Sequence, residues 1–242
     1  IERYPFLSSH VIDGRAVLPM AIMAEFLAQG ALHTQPGLAF HGIDDLRVLK
    51  GVIFSGAPVR LRVLAGKAEK RDGLYLVPTE LRSDAHGAET LHARATIVLA
   101  DRLPKGKRTL AEPAGDPYAA GPKEIYGEIL FHGPLLQGIE RVESCGPDGI
   151  IVRSRCASPP TEWLAEPLRS TWIADPMALD AGFQAMILWT ASHSNAPSLP
   201  TRAGCYRQFR RNFPADGVRV IVHVTQPAGK QVRADMEFLA SN

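Results

Sequence analysis

A histidine, a glycine and a proline follow one another at short intervals near the start of the chain, in His10-Val-Ile-Asp-Gly14-Arg-Ala-Val-Leu-Pro19, and an apolar stretch begins at once after them. Gly14 permits a tight backbone turn. Pro19 sits where a helix would begin, because proline is favoured at the first helical position, where its missing N–H would be unpaired anyway. The layout aims the His10 imidazole and the free N–H groups of a helix start into one small volume. A base beside an anion cradle is what enolate chemistry on a thioester needs.

A second group of polar residues stands late in the chain, in Asp175-Pro-Met-Ala-Leu-Asp180-Ala-Gly-Phe-Gln184. Asp180 falls immediately before or at the start of an apolar helix, where capping alone would explain an aspartate. Gln184 lies one turn further on and shares its face. His132, in Phe131-His132-Gly133-Pro134, sits in a turn. Taken singly, His10 and His132 read as histidines satisfied by hydrogen bonds or solvent. The histidines at 33, 41, 86, 92, 193 and 223 show no metal-binding spacing. Arg207, Arg210 and Arg211 read first as a solvated strand edge and second as a partner surface.

The elements that must position these residues are legible as pattern. Two segments, Met20 to about His33 and Ala181 to about His193, are apolar on almost every side, so each is a helix buried within sheet. Strand-like runs follow the first at Asp44–Phe54, Val59–Lys67, Leu74–Leu81 and Thr90–Leu99, with the alternation of half-exposed antiparallel strands. A short helix near Lys123–Leu130 and strands near Gly149–Cys156, Tyr206–Phe213, Val218–Thr225 and Gln231–Leu239 make up the second half. Between the halves, the stretch from Asp101 to Pro122 is rich in Pro, Gly and charge and reads as a linker. The expectation is an α+β protein of two hotdog units, each an antiparallel sheet around a buried helix. The first unit spans 1–105 and carries His10, a linker spans 106–122, and the second unit spans 123–242 and carries Asp180.

Composition narrows the function. With 242 residues and a formal net charge of +2, basic and acidic side chains are balanced, which gives no electrostatic case for nucleic acid or an anionic membrane. No apolar run reaches the length of a membrane span. The start at Ile1, without Met and without the layout of a signal peptide, is read as that of a piece excised from a longer polypeptide. Cys145, Cys156 and Cys205 show no zinc-ligand spacing and read as small apolar core residues in a reducing, cytoplasmic setting.

The ordered motifs resemble a known family. His10-x3-Gly14-x4-Pro19 is similar to the HxxxGxxxxP signature of the dehydratase domains of polyketide synthases. Asp180-x3-Gln184 after a leucine matches the second signature of that family, and Phe131-His132-Gly133-Pro134 stands where those domains usually carry Tyr-Gly-Pro. The wording HVIDGRAVLP, LFHGPLLQG and DPMALDAGFQ is closest to the branch found in polyunsaturated fatty acid synthases. The resemblance implies a double hotdog fold, with His10 and Asp180 meeting in a tunnel between the units. It implies dehydration of a 3-hydroxyacyl thioester to a 2-enoyl thioester. His10 would be the base at the α-carbon; Asp180, helped by Gln184, would be the acid at the β-hydroxyl. The Met20 N–H, just after Pro19, is the candidate oxyanion donor. Gly14 would act through backbone shape, and Leu18, Phe131 and Pro134 would line the acyl path. His132 replaces the usual tyrosine beside Gly133. No metal or redox cofactor is implied. The acyl group would arrive on the phosphopantetheine of an acyl carrier protein, among the other domains of a megasynthase and within a dimer. Two rival readings keep the fold: an isomerase or product-template cyclase with the same His/Asp pair, and a non-catalytic acyl-binding module.

Overall fold

The computed structural model describes residues 2–56, 58–85, 88–194, 198–228 and 231–240; His86 lies outside them. A 3-10 helix (Pro5–Ser9) leads into a small hairpin of β1 (Val11–Ile12) and β2 (Arg15–Val17), then α1 (Met20–Thr34). Next come β3 (Ala39–Val48), β4 (Ile53–Phe54), β5 (Leu61–Ala65), β6 (Glu69–Arg71), β7 (Leu74–Ala85) and β8 (Ala88–Ala100). The second half holds α2 (Pro122–Glu124), a π-helical turn (Ile125–Ile129), β9 (Ile139–Gly146), β10 (Gly149–Ser154), α3 (Pro160–Trp163), α4 (Pro176–Ser194), β11 (Arg202–Arg207), β12 (Val218–Ala228) and β13 (Gln231–Ala240).

Nearly every side chain of α1 is apolar, and Ala21, Ile22, Met23, Leu27, Ala28 and Ala31 are buried. An antiparallel sheet in the order β11-β3-β8-β7-β5, with β6 beside β7, wraps that helix. The second helix, α4, is wrapped in the same way by β13-β12-β10-β9. The two helices also touch each other. This is the double hotdog expected from the pattern.

Several details differ from the sequence expectation, the strand run expected at Asp44–Phe54 among them, which is β3 and the separate β4. The second buried helix starts at Pro176, and its N-cap is Asp175, whose Oδ1 accepts the Ala178 N–H at 2.8 Å. Asp180 therefore lies inside the helix and caps nothing. Pro19 is itself the N-cap of α1, extended at φ −61° and ψ 144°, so the first helical residue is Met20. The strand expected at Tyr206–Phe213 runs from Arg202 to Arg207 and pairs with β3, from Arg202 opposite Arg47 to Arg207 opposite Gly42. The first sheet is thus completed by a strand from the second half of the chain. The first core likewise takes in Trp163, Trp172, Ile173 and Met177.

β9 escaped the pattern because two register shifts against β10 break its alternation. The linker carries no regular element before α2 yet is tied down. Glu112 receives Arg219 at 2.7 and 2.8 Å, and Glu237 Oε1 receives the Thr109 N–H at 2.8 Å. The cysteines are free thiols: Cys145 and Cys156 are half-buried against the second core, and only Cys205, exposed on β11, departs from the expected core placement. Arg207 pairs with Asp44 across the β11–β3 seam, while Arg210 and Arg211 are exposed. No helix among the described residues is long and apolar enough to cross a membrane.

Candidate active site

His10 is placed by the hairpin that follows it. Asp13 and Gly14 have φ of 49° and 74°, the two left-handed residues of a type I′ turn, which matches the twist of the flanking strands. The hairpin returns Val17 to His10: the Val17 N–H donates to His10 O at 3.0 Å, and His10 Nδ1 lies 2.8 Å from Val17 O. A carbonyl can only accept, so Nδ1 carries the ring proton and Nε2 is left with a free lone pair. Burial pushes the His10 pKa down to about 4, the Val17 bond opposing it. The ring is therefore a neutral base with its working nitrogen fixed. Gly14 stands exposed at the hairpin tip, so it shapes the turn and is not a contact residue. Leu18 and Pro19 are buried behind the hairpin. The first intrahelical bond of α1 runs from the Met23 N–H to Pro19 O, which leaves the Met20 N–H ahead of the ladder.

The Phe131–Pro134 loop lies against His10. His10 and His132 form an antiparallel bridge, and the ring centroids stand 5.5 Å apart. Ser9 fastens the loop: its carbonyl accepts the Gly133 N–H at 2.8 Å, and its Oγ accepts the Leu135 N–H at 3.1 Å. A side chain at position 133 would collide with the Ser9 backbone, which is why glycine stands there. Phe131 packs on both histidines, edge-on to His10 at 5.2 Å and stacked on His132 at 4.1 Å. Pro134 is exposed.

Asp180 approaches from α4. Its Oδ2 accepts the Gln184 Nε2–H at 2.7 Å and lies 3.4 Å from His132 Nε2; its Oδ1 takes no hydrogen bond from a described residue. Burial raises the Asp180 pKa to about 6, the Gln184 bond opposing it. The orientation of Gln184 is forced. Tyr126 OH accepts the Ile139 N–H at 2.8 Å, so its own proton goes to Gln184 Oε1 at 2.7 Å. The Gln184 amide nitrogen then faces Leu136 O and Asp180. Tyr126 had no signal in the sequence, since its role arises from contacts 58 residues away. Glu25 did have one: a Glu–Gln pair four apart in an otherwise apolar helix. Buried Glu25 accepts the N–H groups of Ile173 and Ala174, at 3.0 and 2.7 Å, and so ties α1 to the loop that leads into α4.

The structure thus brings His10, His132, Asp180 and Gln184 into one buried cluster, with His10 from the first half of the chain and Asp180 from the second. A neutral base and a carboxyl raised towards neutrality, in a dry setting, can take a proton from one carbon and give one to an oxygen on the next. A cleft of about 860 Å³ lies beside the cluster, lined in part by Pro134, Leu135, Met177, Trp163 and Trp172. It meets neither His10 nor Asp180, but Pro134 follows His132 closely and Met177 is one turn before Asp180.

Comparison with known proteins gives the chain's family. Residues 104–242 match the family model described as the polyketide synthase dehydratase N-terminal domain. The chain is 32% identical over 197 residues to one of the polyunsaturated fatty acid synthase subunits of Thraustochytrium sp., covering 81% of this chain and 7% of that relative. The chain therefore spans a small part of that protein. Among solved structures it is similar to a trans-AT polyketide synthase dehydratase domain from Brevibacillus brevis, at 20% identity over 98% of this chain and 84% of that one, with a TM-score of 0.72. It is also similar to the dehydratase domain of the CurF module of curacin polyketide synthase, at 18% identity over 98% and 87%, TM-score 0.70. A third is a trans-acyltransferase polyketide synthase enoyl-isomerase, at 10% identity over 98% and 89%, TM-score 0.69.

Proposed function

From the premise that this chain belongs to the polyketide synthase dehydratase family, we propose that its buried cluster removes water from a 3-hydroxyacyl thioester to give the 2-enoyl thioester. His10 Nε2 takes the α-proton, and Asp180 gives its proton through Oδ1 to the departing β-hydroxyl. The observation that carries this reading is the division of labour between two buried groups. His10 is held neutral with Nε2 free, and Asp180 is held near its protonated form with Oδ1 free. The Met20 N–H at the start of α1 stabilises charge on the thioester oxygen. Gln184 orients Asp180, while Leu18, Phe131 and Pro134 border the acyl chain. The substrate is carried on the phosphopantetheine of an acyl carrier protein, beside the other domains of a cytoplasmic synthase that acts as a dimer. No redox cofactor enters the step, since water leaves without any change in electron count.

An isomerase would use the same base and shift a double bond instead. The free Oδ1 of a raised carboxyl favours dehydration, because moving a double bond releases no oxygen leaving group to be protonated. The test is incubation with a 3-hydroxyacyl-pantetheine thioester, read by mass. Loss of water from the wild-type chain, abolished by His10→Ala, is expected. Product formation by His10→Ala at more than a few per cent of the wild-type rate would remove His10 from the base role, since a positioned base contributes about 10²–10⁴-fold.

A further inference from the structure

Two buried side chains outside the His10–Asp180 cluster meet on a single residue of the loop that enters α4. The Glu25 carboxyl, on α1, accepts the Ile173 N–H at 3.0 Å and the Ala174 N–H at 2.7 Å. Gln208, just after β11, donates from Nε2 to Ile173 O at 3.0 Å. Its orientation is forced, because the same nitrogen donates to Arg210 O at 2.7 Å while Oε1 accepts the Tyr206 O–H at 3.0 Å. Gln208 is itself locked to the first sheet through its backbone. Its N–H donates to His41 O at 2.7 Å, and its carbonyl accepts from His41 Nδ1 at 2.9 Å. Ile173 is thus held at its N–H by the first helix and at its C=O by the first sheet.

Stability alone is a poor reason for this arrangement. Glu25 is fully buried, burial raises its pKa, and no cation among the described residues pairs with it. A carboxyl is costly to place there. What it secures is a register. Glu25 lies five residues after Met20, whose N–H opens α1. Ile173 and Ala174 directly precede Asp175, the cap of α4, and Asp180 follows in that helix. The apolar packing of Trp163, Trp172 and Met177 around α1 keeps the two halves together, but it is non-directional and resists sliding weakly. Hydrogen bonds at both ends of one residue do fix its place. We propose that Glu25 and Gln208 are positioning residues that clasp Ile173 and so set Asp180 against His10 and the Met20 N–H; the proposal rests on the dehydratase reading above. Both act through the entry to α4 and not on the reacting atoms. The demand is strict, since a misplacement of about 1 Å costs about a hundredfold in rate.

The experiment separates positioning from folding. Glu25→Met and Gln208→Met keep the bulk of each side chain and remove its hydrogen bonds. Glu25→Gln keeps an acceptor for the two N–H groups and is the conservative control. Each full chain is assayed on a 3-hydroxyacyl-pantetheine thioester, well below its melting midpoint, with kcat and KM read separately. Each Met variant should lose about ten- to a hundredfold in kcat while KM stays within about twofold. Because both side chains hold one residue, the double variant should lose little more than either single one, whereas independent losses would multiply. Glu25→Gln should keep kcat within about threefold of wild type. Folded Met variants that keep their kcat, raise KM instead, or multiply their losses in the double variant overturn the proposal. So does a Glu25→Gln chain as slow as Glu25→Met, and so does failure of both Met variants to fold, which makes the pair an element of the fold alone. A wild-type chain that releases no water instead overturns the dehydratase reading, and the clasp's catalytic role with it.

Discussion

At the scale of single residues, the cluster makes a definite statement about pH. His10 works only when neutral, which requires pH above about 4, and Asp180 works only when protonated, which requires pH below about 6. The kcat/KM of the free enzyme should be highest between those values and fall about tenfold per pH unit above the upper one. A profile flat to pH 8 would take the acid role from Asp180. Stability carries the same signature. The folded chain keeps the Asp180 proton that the unfolded chain sheds near pH 4, so stability drops as pH rises through the window up to about 6. Asp180→Asn should therefore be inactive yet melt higher than wild type at pH 8 and alike at pH 4, the gain being of the order of 3 kcal/mol. His10, His132, Asp180 and Gln184 were legible in the sequence because they sit in short motifs with fixed spacing. Ser9 and Tyr126 were not, because each works through a partner far away in the chain.

At the scale of elements, α4 is aimed by its cap. Asp175 accepts N–H groups from Ala178 and from Ala157, at 2.8 and 3.0 Å, and so fixes the first turn of the helix that carries Asp180. Asp175→Ala should cost at least about 1 kcal/mol, the usual value of a lost cap, read as a lower urea midpoint. Asp175→Asn keeps acceptor capacity and should recover most of it. Tyr126→Phe frees the Gln184 amide to rotate. It should slow turnover about tenfold while leaving the melting temperature within a few degrees, since one net hydrogen bond is worth about 1 kcal/mol. The helices were readable because apolar residues all round admit no other placement. The start of α4 was misjudged: Pro176 and Met177 precede the strongly apolar run, and an aspartate stands on either side of them. The Pro176 ring suits a first helical turn, and that decides in favour of Asp175.

At the scale of the whole molecule, the two halves depend on each other. Trp163, Trp172 and Met177 pack in the core around α1, β11 borders β3, and Glu25 holds the entry to α4. Residues 1–105 expressed alone should be insoluble and inactive, because they expose that apolar surface and an unpaired β3 edge. Cutting the linker after Pro104 should leave a nicked protein that elutes as one species and keeps its activity. A soluble, active fragment 1–105 would mean that the site does not span both halves. The irregular stretch between the halves was visible in composition, but the exchange of β11 was not. Strand pairing between distant segments leaves no local trace in either one.

That exchanged strand also sets a clock. β3 finds β8 within its own half, but its other edge waits for β11, roughly 150 residues further along, and at about 5–20 residues per second a ribosome takes about 8–30 s to deliver it. During that interval the nascent chain holds a hydrogen-bonding edge with no partner, next to a helix whose apolar surface is still partly bare. Assembly on the ribosome is therefore not a sequence of two finished halves. The first half stays open, a substrate for chaperones and for mispairing with its neighbours on a polysome, until the larger part of the second half has been synthesised.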